Sequence, residues 1–207
     1  MPLTPSQVVT GYRIGAFPMA ESRRGRLFWL SPDPRAILPL DTFHIPRRLA
    51  QTVKSARFRT TTDLAFERVI DGCARPDTWI SAEVRAAYVE LHRRGIAHSV
   101  EAWRGETLAG GLYGVHLGGA FMAESKFHAA RDASKVALVA LVAHLRRIGA
   151  VLCDVQFLTP HLARFGVREI SRDEYLRRLT AALDLPCRWG PPGPLPPQIG
   201  SLPGPLP

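Results

Sequence analysis

The chain has 207 residues, 46% of them hydrophobic and 22% charged, with 27 Lys and Arg against 18 Asp and Glu for a net charge of +9. That length fits one large domain or one domain with an appendage, and the basic excess suits a phosphate-rich partner or simply a solvated basic surface. Cys73, Cys153 and Cys187 make neither a CxxC pair nor an even-numbered framework, and the seven histidines form no HExxH, so neither a zinc site nor a disulfide scaffold is indicated and no metal is expected.

In chain order, the first residues lack a charged segment followed by an apolar core, so no secretory leader is expected. A short helix precedes Gly11 to Gly15, and Phe17-Pro18 reads as an irregular turn. In RLFWLSPDPRAILPL, apolar strand-like pieces flank SPDPR, whose prolines force a turn. Pro46 to Lys54 is a basic helix or loop in which Arg47, Arg48 and Lys54 are candidate phosphate contacts. Phe66, Val69, Ile70 and Cys73 fall at helical spacing behind a cap at Asp63 or the threonines before it. After the connector Thr78-Trp79-Ile80, Ser81 caps a helix burying Val84, Tyr88 and Leu91.

A meander follows. Ser99–Trp103 and Leu108–Val115 join through an Arg104-Gly105-Glu106 turn, and Gly118-Gly119 leads into a third strand, Ala120–Glu124. Gly110, Gly111 and Gly114, inside the second strand, fit neither GxGxxG nor GxxxxGK[ST], so they mark a bulge or close approach and not a phosphate loop. A central helix starts at Asp132 or Ser134, is apolar on two faces, ends at Gly149 and reads as buried against a sheet. Its run from Val136 to Leu145 is too short to span a bilayer, so no membrane partner and a cytoplasmic location are expected. Val151–Phe157 is a fourth strand, Thr159-Pro160 opens a short helix, and Ser171 to Glu174 is a capping box for the last one. From Pro186 the Pro/Gly-rich sequence should lack a fold of its own, with Trp189 as its one packing residue.

Two acidic positions stand out. Asp154 and Gln156 are two apart on a strand, so their side chains leave one face, with Val155 and Phe157 on the other. Such a pair can polarise an amide or accept a proton, or it can merely satisfy backbone donors at a strand end. Glu124, alone at the end of the third strand, is a weaker signal still.

From about Gly11 to Leu179 the chain resembles the leucyl/phenylalanyl-tRNA–protein transferases. The resemblance rests on GYRIGAFPM, FWLSPDPRAILPL, FHIPRRL, TWI, LHRRGIAHSVEAW, GGLYGV, FMAESKF, DASKVAL and DVQFLTPHLARFG. It implies an α+β fold: a small N-terminal α/β domain (1–62), a C-terminal acetyltransferase-like (GNAT) domain with a mixed, mainly antiparallel sheet (63–185), and a tail (186–207). The implied activity is transfer of Leu or Phe, less well Met, from aminoacyl-tRNA to the α-amine of proteins beginning with Arg or Lys. The implied product is an N-terminal degradation signal, and a monomer without cofactor is expected. By motif, Glu124 resembles the acid that holds the aminoacyl α-amino group, and Asp154 with Gln156 the pair that activates the attacking amine. Leu112, Phe121 and Phe127 are candidates for the side-chain pocket, with Ser125 beside it, and Trp79 resembles the aromatic near the terminal adenosine. Met19 stands where many members have Trp, and Lys126 where Met is usual, which bears on pocket shape and donor preference. The rival on the same fold, an acyl-CoA-dependent acetyltransferase, needs a Gly-rich pyrophosphate loop before the central helix, where this chain has HAARDASK. A non-catalytic tRNA-binding module would not need Glu124, Asp154 and Gln156.

Overall fold

The structure, a computed structural model, describes residues 3–23, 25–75 and 78–195. Thr4 and Gln7 form a reciprocal capping box, with Pro5 at the first helical position, so α1 (Pro5–Arg13) begins where its orphan donors are satisfied. Gly15, at φ +82°, reverses the chain into β1 (Phe17–Ala20), which pairs antiparallel with β2 (Leu27–Leu30) as a separate two-stranded ribbon. The irregular turn expected at Phe17-Pro18 is therefore a strand. Proline is tolerated there because a two-stranded ribbon has an unpaired edge to which its missing N–H can turn.

The rest builds one large sheet. Its strands are β3 (Arg35–Ile37), β4 (Arg59–Thr62), β5 (Ala97–Arg104), β6 (Thr107–Leu117), β7 (Ala120–His128), β8 (Leu152–Gln156), β9 (Arg168–Ile170) and β10 (Gly193–Pro194). They lie in the order β10-β4-β5-β6-β7-β8-β3-β9, antiparallel throughout except for the parallel pair β7 and β8. Thus β3 and β4, from the segment expected to form the N-terminal domain, are strands of the same sheet as the meander. The helices are α2 (Arg47–Lys54), α3 (Phe66–Cys73), α4 (Ala82–Arg93), α5 (Ala133–Arg147), α6 (Pro160–Ala163) and α7 (Arg172–Leu183), so the described residues form a mixed α+β fold with seven helices.

Two cores sandwich the sheet. On one face α1, α3, α4 and α7 bury Tyr12, Phe66, Tyr88 and Tyr175 against Tyr113, Val115 and Met122. On the other, α5 lies with α2, Phe165 and Trp189 over Val100, Leu112, Phe121 and Cys153. Ser81, Thr159 and Ser171 cap α4, α6 and α7 as their sequences require. Asp63 does not cap α3. It takes a left-handed turn at φ +59°, and its carboxylate accepts the Ser99 N–H at 2.8 Å and meets His98 Nδ1 at 2.7 Å. The threonines before it are spent in β4, so α3 starts at Ala65 without a side-chain cap.

The tail is structured as far as residue 195, against expectation. Trp189 is 4% exposed, stacks on His98 with ring centroids 4.4 Å apart, and donates through Nε1 to Thr62 Oγ1 at 2.9 Å. Its large apolar area and satisfied N–H outweigh the weak propensities around it. The remainder, 196–207, lies outside the described residues. Among the described residues no helix is long and apolar enough to cross a membrane.

Candidate active site

Strands β7 and β8 pair only from Ala120↔Leu152 to Met122↔Asp154 and then separate. Glu124 and Gln156 lie just past the parting, one on each arm. On β7 the register jumps from Gly114↔Ala123 to Tyr113↔Ser125, leaving Glu124 as the unpaired residue of a β-bulge. A bulge re-aims one side chain without breaking the sheet. Gly114 permits it, because a Cβ there would strike the Phe121 ring at 2.6 Å. The cleft at the parting is lined by Phe17, Pro18, Met19, Trp79, Glu124, Gln156 and Phe157.

Glu124 is half-buried, and Tyr12 Oη donates to its Oε1. Tyr12 Oη in turn lies 3.4 Å from Tyr88 Oη, so two buried phenols stand behind the carboxyl. Burial, and then the like charge of Asp154, push its pKa well above the usual carboxylate range. A carboxyl held this way is disfavoured as a free anion and gains most from a cation entering the cleft.

Asp154 is fully buried and is not part of the cleft wall. Its Oδ1 accepts from Arg35 Nε and from the Gln156 backbone N–H, both at 2.9 Å. Its Oδ2 accepts from Arg35 Nη2 at 2.5 Å and from Tyr175 Oη at 3.0 Å. Arg35, itself 0% exposed, donates through Nη1 to the Gly15 carbonyl at 3.0 Å. Its guanidinium lies between the rings of Phe17 and Tyr175, 4.7 and 4.4 Å from their centroids. Burial works against the guanidinium's charge, but Asp154 outweighs it and the Arg35 pKa is raised.

Asp154 and Gln156 do share a face, while Val155 packs with the α5 core. Phe157 does not follow the alternation expected of it. Gln156 sits at φ +60°, which ends the strand, and Phe157 turns back to donate its N–H to the Val155 carbonyl at 2.7 Å. Its ring then lines the cleft edge-on to Phe17, 5.9 Å between centroids. Gln156 is 8% exposed, and its Nε2 has no hydrogen-bond partner among the described residues.

Of the residues singled out by sequence, the cleft brings together Met19, Trp79, Glu124 and Gln156. Leu112 and Phe121 are buried in the α5 core on the other face of the sheet, and Phe121 stacks on Trp189 at 5.2 Å. Phe127 packs over Gly72 on the α3 side, and Ser125, paired across the strands with Tyr113, is half-buried and does not line the cleft. Lys126 pairs across the strands with Leu112, on the α5 face, where burial and then Lys135 draw its pKa down to about 8. Arg47, Arg48 and Lys54 are exposed along α2, anchored by Leu49 and Val53, and none makes an ion pair among the described residues. Sequence reasoning missed Tyr12, Phe17, Arg35, Tyr88, Phe157 and Tyr175. The one signal for Arg35 was a lone charge opening an otherwise apolar run, RAILPL.

Residues 37–180 match the family model described as leucyl/phenylalanyl-tRNA protein transferase, and residues 1–33 match the model of that enzyme's N-terminal domain. A leucyl/phenylalanyl-tRNA–protein transferase of Caulobacter vibrioides is 53% identical over 189 residues, 88% of this chain and 87% of the relative. One of Hyphomonas neptunium is 52% identical over 202 residues, 94% and 78% respectively. One of Salinibacter ruber is 50% identical over 190 residues, 91% and 84%. Among solved structures, a C-terminal (DUF2156) domain described as part of a lysylphosphatidylglycerol synthetase of Agrobacterium fabrum aligns over 89% of this chain and 60% of its own. Its TM-score is 0.43 at 10% identity, too weak to bear on the fold.

Proposed function

The chain belongs to the leucyl/phenylalanyl-tRNA–protein transferase family, and on that premise we propose that it moves Leu or Phe, and less well Met, from aminoacyl-tRNA to the α-amine of proteins that begin with Arg or Lys. It is an aminoacyltransferase. The finer reading, with its cationic acceptors, degradation-signal product, cytoplasmic setting and monomeric state, is ours. The observation that carries it is the half-buried Glu124 carboxyl, backed by Tyr12, at the mouth of a cleft lined by Trp79 and Gln156.

The chemistry asks little of the protein. An aminoacyl ester is already activated, and an α-amine with a pKa of about 7.7–8.0 has a useful neutral fraction near neutral pH. Holding amine and ester in line therefore supplies much of the acceleration, with no cofactor required. Glu124 takes the α-ammonium of the aminoacyl group, the cation its surroundings favour. Trp79, half-buried on the cleft wall, offers a face to the terminal adenosine. Gln156 meets the reacting groups, and Asp154 acts on them through it. Arg47, Arg48 and Lys54 engage phosphates of the tRNA. Leu112, Phe121 and Phe127 remain our candidates for the donor side-chain pocket; Leu112 and Phe121 lie on the α5 face, and Phe127, in one apolar cluster with Trp79, is the one on the cleft's side of the sheet. The parallel pair that parts beside a buried central helix supports the acetyltransferase-like (GNAT) reading of the fold.

The test is purified protein given Phe-tRNA and a peptide beginning with Arg. The peptide should grow by one residue. No transfer from well-charged tRNA, alongside turnover of acetyl-CoA, would sink this reading.

A further inference from the structure

The obvious acceptor for the proton lost by the attacking amine is Asp154, and its surroundings leave no room for that role. A carboxylate offers about four lone-pair positions, and here four donors occupy them: Arg35 Nε, Arg35 Nη2, Tyr175 Oη and the Gln156 N–H. The carboxylate is fully buried and forms no part of the cleft wall. A substrate amine would have to displace one of those donors, and two of them belong to a cation with no solvent to retreat to.

Arg35 does more than neutralise. Its fork spans three segments remote in sequence: the end of β8 through Asp154, the turn between α1 and β1 through the Gly15 carbonyl, and α7 through the Tyr175 ring. Its other face is covered by Phe17, so the cleft wall of Phe17 to Met19 is hung on the same side chain that anchors the strand bearing Gln156. The Gln156 N–H bond to Asp154 also holds a non-glycine residue in the left-handed region, a conformation that persists only where its surroundings over-determine it.

We propose that Arg35 is a positioning residue of the transfer reaction, with Asp154 as its fixed counter-ion and not as the proton acceptor. The proposal rests on the aminoacyl-transfer reading above. The acceptor's neutral nitrogen attacks the ester carbonyl carbon, a C–N bond forms and the carbonyl π pair moves to oxygen. On collapse the C–O bond to the ribose breaks, and the departing 3′ oxygen keeps that electron pair and takes the proton the nitrogen loses. Asp154 stays paired with Arg35 throughout, while Gln156, set by it, contacts the substrates.

The experiment compares wild type with Arg35→Met, Arg35→Lys, Asp154→Asn and the double variant Arg35→Met/Asp154→Asn. Folding is checked by circular dichroism, and transfer from Phe-tRNA to an Arg-peptide is resolved into kcat and KM across pH. Misplacing the Gln156 arm should cost about 100-fold in kcat, while the KM for tRNA stays within about threefold because the proposed phosphate contacts, Arg47, Arg48 and Lys54, lie on α2. Arg35→Lys should recover part of the loss. The double variant, which leaves no unpaired charge, should be no worse than the poorer single. Asp154→Asn should keep the acid limb of the wild-type profile, since that limb belongs to the acceptor amine. If Arg35→Met alone unfolds, the Lys and double variants still decide. The proposal is overturned if folded Arg35 variants keep wild-type kcat while Asp154→Asn abolishes it, if the double variant multiplies the two single losses, or if the acid limb vanishes with Asp154. Absence of transfer by wild type overturns the functional reading first, and this proposal with it.

Discussion

Replacing Glu124 by Gln should make the protein more stable and a much poorer enzyme at once. In the folded chain this carboxyl is half-buried beneath the β1–β2 ribbon wall, and burial with the nearby Asp154 charge raises its pKa well above the usual range. A carboxyl whose folded pKa exceeds its unfolded one binds more protons when folded. Its contribution is therefore most favourable below the unfolded value and is lost as pH rises through the window up to the folded pKa. At neutral pH ionisation is a cost, and Gln removes it while keeping an oxygen to accept from Tyr12 Oη. The donor's α-ammonium reverses the balance. A hydrogen bond to a charged group contributes about 1.5–3 kcal/mol, so its loss should weaken donor use by about tenfold to a hundredfold. The assay pairs thermal unfolding at acidic and neutral pH with transfer measured against Phe-tRNA concentration. A rise in Tm at neutral pH that shrinks on acidification, together with a raised donor KM, is the expected result. A fall in Tm with unchanged donor KM would make Glu124 a structural group and refute the reasoning.

Tyr12→Phe should leave the Glu124 carboxyl without its protein donor and push its pKa higher still, so that the pH dependence of the donor KM moves to higher pH; an unmoved KM profile would detach Tyr12 from the site. Trp189→Ala should cost about 3–5 kcal/mol in urea unfolding, as a large buried ring with a bonded N–H is removed, and a change below about 1 kcal/mol would show that the tail packs without contributing. Removing Arg47 and Arg48 together should weaken tRNA binding and flatten its salt dependence by about 0.7–0.9 for each phosphate no longer neutralised, whereas an unchanged slope would assign the charge elsewhere. Lys126, at about 8 when folded against 10.5 for an ordinary lysine, is bound to fewer protons folded than unfolded between those values. Wild type should therefore gain stability relative to Lys126→Met as pH rises through that window, and parallel profiles would place the amine in solvent. The same variant, tested with Leu-, Phe- and Met-tRNA, reads whether Lys126 shapes donor preference.

Much of the scaffold was legible because its signals are local. Ser81, Thr159 and Ser171 accept from backbone N–H groups three residues on, and Gly105 turns the β5–β6 hairpin within two residues. The period of two placed Asp154 and Gln156 on one face correctly. The failures share one cause. Asp63 reads as a helix cap until Ser99 and His98 compete for its carboxylate; Phe157 reads as outward until the left-handed Gln156 breaks the alternation. The three residues of β9 carry no strand signal of their own and become a strand only by pairing with β3.

The sequence by itself settled the family, the caps of α4, α6 and α7, the meander and the identity of the acidic positions, since these depend on residues within a few steps of one another or on motifs read whole. Only the tertiary structure decided what those positions can do. The parting of β7 and β8, the bulge that turns Glu124 into the cleft, and the Arg35 fork on Asp154, across a sequence separation of 119 residues, arise from long-range packing. A carboxylate's chemistry is set by its neighbours: Asp154 has every lone pair occupied, and Glu124 has one phenol and an opening to solvent.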